Sequence, residues 1–564
     1  MKSLQQNNMG EWTFTSGKKH ADPFNEVELT VCFQQDGSSA VQRVPAFWSG
    51  GREWRVRFAS PRTGTFRFRT ECSSTADAGL HAQEGAFKVV SYKGRNPLYR
   101  HGPVQVAAER RHFAHADGTP FFWLGDTWWM GLCKRFSWPQ DFRALTADRV
   151  KKGFTVVQIV AGLYPDMPAF DERGANEAGF PWTKEFGCIN PAYFDAADRR
   201  IQHLVNAGLM PCIVACWGYF LPWLGVEKMK KHWRYLIARY GSYPVTWCLA
   251  GEGTMPYYLT KTWDADALTQ KKGWTELAGY VRANDPFARP ITIHPSSSSR
   301  KCVEDASVLD FDMLQTGHGD RSSLPNTVKQ MVTSYRAEPV MPVVESEVCY
   351  EGIGAYCGPE VQRWLFWACL LNGAAGFTYG ANGIWQFNTR KKAYGPSPHG
   401  MSWGNTPWEV ARWLPGSGQV GLAKRLLMRV PWWQMEPHPE WVEPGWNDTL
   451  NDQPFTCGRH DIPLAAGIPR TLRIIYCPMG TGLQAVKGLE PGVDYRLRLF
   501  DPVTGAEVAG GAVTPDAAGN WTPVVPGTPA WFPRPIYQDW VLVFTARRTG
   551  LSSGRRHGLN RMAL

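Results

Sequence analysis

Between residues 121 and 385, short apolar runs alternate with longer helical stretches eight times. Few architectures accept that alternation. Parallel strands cannot be joined by tight turns and need crossovers, which are usually helices. The apolar runs fall at 121–125, 155–160, 210–215, 245–250, 291–293, 311–314, 343–345 and 376–379. Helical patterning falls at 138–152, 191–207, 226–240, 268–284 and 359–372. Ser137 is placed to cap the first of these helices, with Pro139 in its first turn, and Gly208 marks the stop of the second. Eight such units over roughly 300 residues predict a (β/α)8 TIM barrel, here spanning 101–436.

The flanks read differently. Residues 10–92 alternate with period two at 27–33, 53–58 and 65–70, with turn clusters such as Gly50-Gly51 between them. That pattern predicts an immunoglobulin-like β-sandwich, followed by a linker at 93–100. Residues 437–548 alternate again at 472–476, 494–500 and 540–545, with turns at 480–482 and 501–505, and predict a second small β-sandwich. A Ser/Gly-rich basic stretch, 549–564, reads as a flexible tail. The expected fold class is multidomain, α/β and all-β: a central barrel flanked by two small sandwiches.

Bulk properties exclude several functions. The net charge of +11 raises nucleic acid, but the basic residues are scattered and no basic run carries interleaved aromatics. Among the 13 Cys there is no CxxC, and Cys212 and Cys216 read as small buried hydrophobes rather than metal ligands. No metal and no cofactor is expected. The first residues lack an apolar signal segment, which favours a cytoplasmic enzyme; a signal removed beforehand would make it secreted. The longest apolar stretch, 364–385, is broken by Asn372, Gly373, Gly376 and Gly380, so no membrane partner is expected. Self-association is left open. The chain has 27 Trp, an excess that suits sugar rings, although core packing accounts for many of them.

Side chains at the C-terminal strand ends of such a barrel share one mouth. The residues expected there are Asp126, Trp128, Tyr164, Trp217, Glu252, His294, Gln315, His318, Glu347, Tyr350 and Trp385. Glycoside cleavage needs two carboxyl groups across the scissile bond, one protonated and one ionised. Glu252 follows an apolar run at strand four and suits the acid/base role. Strand seven offers Glu345 and Glu347. Both share parity with Val343 and are expected to point inward, Glu347 nearer the substrate as the nucleophile and Glu345 a layer deeper. A bulge at Ser346 would reverse that assignment. Tyr350 is placed to hydrogen-bond the nucleophile, and Glu351 to pair with a basic residue. Asp126 is a candidate for sugar hydroxyls or for a helix cap. Tyr164, His294, Gln315 and His318 are candidate substrate ligands, and Trp128, Trp217 and Trp385 candidate sugar platforms. Ordinary packing is the competing reading for each aromatic.

Residues 119–129, Thr-Pro-Phe-Phe-Trp-Leu-Gly-Asp-Thr-Trp-Trp, resemble the opening strand of the apiosidase-like glycoside hydrolases. The segment Glu347-Val348-Cys349-Tyr350-Glu351 is similar to that family's E-P-x-Y-E region, with Val348 in place of Pro, and residues 247–252 are similar to its acid/base region. The N-terminal module resembles the β-sandwich often fused before such barrels, and the C-terminal one the module named for collagen binding that often follows. The resemblance covers about residues 10–545. It implies a retaining glycosidase with a carboxylate pair, and leaves the sugar open; an apiose-like or arabinofuranosyl unit of a plant or microbial polysaccharide fits. The competing classes are a glycan-binding protein without catalysis and a polysaccharide lyase.

Overall fold

In the computed structural model, which describes residues 2–446, 460–479, 482–523 and 538–547, the N-terminal strands form two facing sheets. The strands are β1 (Lys2–Gln5), β2 (Gly10–Thr15), β3 (Leu29–Gln35), β4 (Val41–Pro45), β5 (Phe47–Gly50), β6 (Glu53–Phe58), β7 (Gly64–Cys72) and β8 (Glu84–Val90). One sheet has the order β1-β8-β7-β3-β4 and the other β2-β6-β5. The period-two pattern works as expected. Phe66, Phe68, Thr70 and Cys72 of β7 are buried while Arg67, Arg69 and Glu71 face water. Phe33 stacks on Phe58 at 4.2 Å between the sheets. The short helix α1 (Pro23–Glu26) lies within this module, and α2 (Pro97–Arg100) leads out of it.

Three short strands, β9 (Val104–Val106), β10 (Phe113–His115) and β11 (Pro120–Phe121), form an antiparallel sheet next. Its Phe113 packs on Trp123 and Phe311, at the starts of barrel strands one and six. That sheet covers the bottom of the barrel and leaves the strand ends open.

The barrel strands are β12 (Trp123–Trp128), β13 (Val156–Val160), β14 (Met210–Val214), β15 (Thr246–Cys248), β16 (Ile291–Thr292), β17 (Asp312–Gln315), β18 (Val343–Glu347) and β19 (Gly376–Tyr379). Their order is β16-β15-β14-β13-β12-β19-β18-β17, all parallel, so chain order runs round the ring. Single hydrogen bonds cross the seam between β16 and β17: Asp310 N–H to the Ile291 carbonyl, 2.8 Å, and Thr292 Oγ1 to the Phe311 carbonyl, 2.8 Å. The expected fold class holds: eight parallel strands, flanked by antiparallel sheet modules.

Helices α3 (Gln140–Lys151), α4 (Pro191–Asn206), α5 (Phe220–Leu224), α6 (Val226–Tyr240), α7 (Trp263–Asn284), α8 (Leu324–Arg336), α9 (Pro359–Leu371), α10 (Trp408–Ala411) and α11 (Pro415–Leu427) follow in chain order. In α4, Pro191 opens the first turn, and Tyr193, Ala197, Ile201 and Leu204 recur on one buried face. The expected cap at Ser137 is absent. The N-cap position falls on Pro139, and the Ser137 hydroxyl donates to the Asp141 carboxylate at 2.7 Å instead. Helix α8 carries only a weak sequence signal, because Thr327 and Ser334 interrupt the apolar residues of its buried face.

From Gln434 onward a separate compact unit begins. Its strands are β20 (Glu436–Pro437), β21 (Val442–Glu443), β22 (Leu464–Ile468), β23 (Leu472–Cys477), β24 (Ala485–Val486), β25 (Tyr495–Phe500), β26 (Glu507–Ala512) and β27 (Trp540–Ala546). Six pair in the order β20-β22-β23-β27-β25-β26, and β21 pairs β24. Trp441, Ile475, Leu497 and Phe544 lie in its core. The tail 549–564 and the turn residues Gly480 and Thr481 lie outside the described residues.

Candidate active site

The strand ends surround a cavity of about 430 Å3. Seven of the expected residues, Trp217, Glu252, Gln315, His318, Glu347, Tyr350 and Trp385, line it. His294 lies directly beneath, fully buried.

Glu252 follows β15 in a left-handed conformation, φ +44. Its neighbours explain the local Gly-Glu-Gly. A Cβ on Gly251 would fall 2.1 Å from Trp217 Cζ3, and one on Gly253 would fall 2.3 Å from Ile293 Cδ1. The glycines let the chain turn against those side chains and deliver Glu252 to the cavity. Trp217 Nε1 donates to Glu252 Oε2 at 3.1 Å, and Gln315 Nε2 donates to Oε1 at 3.1 Å.

Glu347 ends β18. Gln315 Nε2 also reaches Glu347 Oε1, at 3.3 Å, so one amide nitrogen bridges both acids. His318 Nε2 lies 2.9 Å from Glu347 Oε1. His294 Nε2 lies 3.1 Å from Oε2, at ion-pair distance but off the line of a straight hydrogen bond. The Tyr350 hydroxyl bonds to Glu347 and accepts from Trp129 Nε1 at 3.0 Å.

These surroundings drive the two carboxyls apart. Burial, reinforced by the Glu347 charge, raises Glu252 to about 7. Burial also pushes Glu347 upward, but the His294 and His318 imidazoles against it outweigh that and bring the group to about 2. Burial pulls His318 down, while bonds to Cys349 and Glu347 raise it to about 10, so it faces Glu347 as a cation.

The strand carrying Glu347 departs from expectation. A register shift leaves Ser346 as an extra residue: Leu314 pairs Glu345, and Gln315 pairs Glu347. Glu345 also pairs Phe377, which packs on Phe366 of α9. Glu345 therefore points outward under the helices, not inward a layer deeper. The bulge is present, yet it does not reverse the assignment, because the parity before it is opposite to that expected from Val343. Glu345 is fully buried and held well above the usual carboxylate range, chiefly by burial. Among the described residues Glu351 makes no ion pair with a basic side chain: it accepts from the Tyr379 hydroxyl at 2.5 Å and the Gly416 N–H at 3.0 Å, and Arg149 and Lys152 act on it only from a distance.

Three expected site residues lie elsewhere. Asp126 is fully buried and pairs with Arg149 of α3, Nε to Oδ2 at 2.6 Å. Trp128 donates to the same Oδ2 at 2.6 Å and packs on Phe136 and Phe142. Both are on the helix-facing parity of β12, whereas Trp123, whose Nε1 donates to Thr378 Oγ1, is on the interior one. Tyr164 is buried with its hydroxyl 2.7 Å from that of Tyr193.

The residues that take their places are neighbours. Trp129, one position after Trp128, lines the cavity; counting in twos from Trp123 selects it. Asp166, two positions after Tyr164, also lines it, as do Tyr258, His399 and Trp403. The last three sit in long loops without periodicity, where no sequence signal marks them. The described cysteines are free, and most are buried.

Comparison with known proteins follows the same outline. The family "Apiosidase-like, catalytic domain" matches residues 107–434, and a domain of unknown function (DUF5060) matches residues 3–73. No curated protein matches. Among solved structures, one from Bacteroides vulgatus, described as a "putative glycoside hydrolase", is similar with TM-score 0.66 and 17% identity, covering 97% of this chain and 100% of its own. A glycoside hydrolase family 5 structure from the same organism has TM-score 0.62 and 21% identity, covering 80% of this chain and 94% of its own. At these identities the likeness is one of fold. No helix among the described residues is long and apolar enough to cross a membrane.

Proposed function

This chain belongs to the apiosidase-like family and is a glycosidase, and we infer that it removes sugar from a plant or microbial polysaccharide or oligosaccharide by a retaining, two-carboxylate mechanism. Glu252 is the general acid/base and Glu347 the nucleophile. The observation that carries this reading is the Gln315 amide bridging two acids whose surroundings hold one near 7 and the other near 2. Because one nitrogen touches both, their oxygens cannot be further apart than the two contacts laid end to end. Two acids facing each other over one amide nitrogen favour the ~5–5.5 Å spacing of retaining pairs over the ~6.5–9.5 Å gap of inverting ones.

In the first step Glu252, protonated, gives its proton to the departing glycosidic oxygen while Glu347 attacks the anomeric carbon. His294, His318 and Tyr350 keep Glu347 ionised and aimed. In the second step Glu252, now ionised, takes a proton from water, which displaces Glu347 from the sugar and restores both groups. Trp129, Trp217 and Trp385 present apolar ring surface to the sugar and exclude bulk water.

Screening 4-nitrophenyl glycosides and cell-wall oligosaccharides identifies the scissile sugar. On that substrate, E252Q is expected to lose about 10²–10⁴ in kcat/KM, and E347Q to lose turnover altogether, with circular dichroism unchanged. Near-normal rates in either variant remove it from the pair. Proton NMR of the first-formed product is expected to show the substrate's own anomeric configuration.

A further inference from the structure

A third carboxylate faces the cavity and has no part in the steps above. Asp166 lies in the loop after β13 at φ +57, a conformation that L-residues rarely hold. The backbone around it is pinned by two phenols. The Tyr219 hydroxyl donates to the carbonyls of Tyr164 and Met167, at 2.7 and 2.9 Å, and the Tyr394 hydroxyl donates to that of Pro165 at 3.0 Å. Strain fixed from both sides holds one side chain in one place. That side chain is 6% exposed, and its opening is into the cavity. Ser397 Oγ donates to Asp166 Oδ1 at 2.8 Å and accepts from Trp403 Nε1 at 3.2 Å, and the Tyr258 hydroxyl also reaches the carboxylate. A carboxylate offers about four acceptor positions, so room remains on it for a ligand's hydroxyl.

The neighbouring wall is aromatic. Tyr258 stacks on His399, centroids 5.0 Å apart and planes 6° from parallel. This end of the cavity adjoins Glu252: Tyr258 follows it in the same loop, and Tyr219, which pins the Asp166 loop, packs on Tyr258 at 5.9 Å and lies two residues after Trp217, the donor to Glu252. Asp166 contributes to raising Glu252, and Tyr258 feels the charges of both. Whatever leaves on the proton from Glu252 therefore leaves past Asp166. Among the described residues, no Lys or Arg lines the cavity. The cation that does line it, His318, is already paired with Glu347, so an anionic sugar beside Asp166 would have no free counter-charge. The same absence weighs against a lyase, which must neutralise the substrate's own carboxylate.

We propose that Asp166, with the stacked Tyr258–His399 pair, forms the subsite for the sugar on the leaving-group side, and that this sugar is neutral. Asp166 accepts a hydrogen bond from one of its hydroxyls, and the stacked rings set its orientation. The proposal rests on Glu252 as the acid, and it sets substrate specificity rather than chemistry.

The test compares two leaving groups on the same scissile sugar: its 4-nitrophenyl glycoside, and an oligosaccharide in which it is linked to a neutral sugar. D166N is expected to lower kcat/KM on the oligosaccharide about tenfold or more and to leave the aryl glycoside within about twofold. Equal losses on both would mean that Asp166 only ties loops together, and no loss on either would mean that it touches no sugar; each overturns the proposal. Y258F serves as a second variant with the same expected split, should D166N fold poorly. Calorimetric titration of E347Q and of D166N/E347Q with the oligosaccharide is expected to show about tenfold weaker binding in the double variant, and equal binding overturns the proposal. An oligosaccharide ending in a uronic acid on the leaving side, cleaved as well as the neutral one, overturns the charge assignment. Should E252Q keep its activity while D166N shows the split, the acid assignment fails and the subsite stands.

Discussion

Glu252 and Glu347 carry the same functional group and are driven in opposite directions by their neighbours. Activity requires Glu347 ionised and Glu252 protonated, so kcat/KM is expected to rise through about 2 and fall through about 7 as pH increases. His294 and His318 together set the lower limit by stabilising the Glu347 anion; H318Q removes one of the two and is expected to move the acidic limb upward by about one unit or more. A pH–rate profile of wild type and variant checks both, and an unmoved limb would detach His318 from the nucleophile. Asp126 behaves differently although it too sits at a strand end. Its carboxylate is spent on Arg149 and Trp128. D126A is expected to cost about 3 kcal/mol of stability by taking the fully buried partner from a guanidinium that then keeps only the Asp148 carboxylate, read by denaturant unfolding, with KM unchanged in whatever folds.

One inserted residue decides which acid of β18 meets the sugar. Ser346 holds its place by donating from Oγ to the Leu314 carbonyl at 2.7 Å and accepting from Gln158 Nε2 at 3.0 Å. Beyond it, Glu347 turns in and Glu345 stays out. Glu345, held protonated by burial, is close in shape and charge to glutamine, so E345Q is expected to keep activity within about threefold while E347Q is inactive. An inactive, folded E345Q would place it in the chemistry after all. Strand positions were legible because buried parallel strands leave apolar runs between turn residues. The face each residue occupies was not. Parity depends on where counting starts, and on bulges that apolar composition does not mark; hence Trp128 stood in for Trp129, and Glu345 was placed inward. Asp166, Tyr258 and His399 come from loops, whose conformation is set by tertiary contacts such as the Tyr219 and Tyr394 hydroxyls rather than by any local repeat. Glu252, Gln315, His318 and Glu347 were legible because a polar residue closing an apolar run is costly without a partner or a task.

The N-terminal sandwich and the barrel belong to one compact unit, and their junction is ionic as well as apolar. Arg57 of β6 and Arg239 of α6 both bond to Asp198 of α4, Arg239 Nε at 2.9 Å. Arg57 Nη1 also donates to the Arg239 carbonyl at 2.8 Å, and the Tyr235 hydroxyl to that of Trp48 at 3.0 Å. Burial pushes the Asp198 carboxyl up, but the two guanidiniums outweigh it and bring it to about 2. A folded-state value below the unfolded one of about 3.9 means that this carboxylate stabilises the protein above that range, and that its contribution is lost as pH falls through about 2. D198N would remove the carboxylate between two buried cations and leave each with its outer acid alone, Glu11 for Arg57 and Asp195 for Arg239. It is expected to cost about 3–5 kcal/mol at pH 7, and the gap between wild type and variant should narrow as pH is lowered from about 4 toward 2. Because the triad joins sandwich to barrel, wild-type unfolding of residues 2–433 should be a single transition seen alike by circular dichroism and by Trp fluorescence. In D198N the sandwich should loosen first, dividing that transition into two. One undivided transition in the variant, at unchanged stability, would mean that the apolar contacts alone join the two modules and that the charges are incidental.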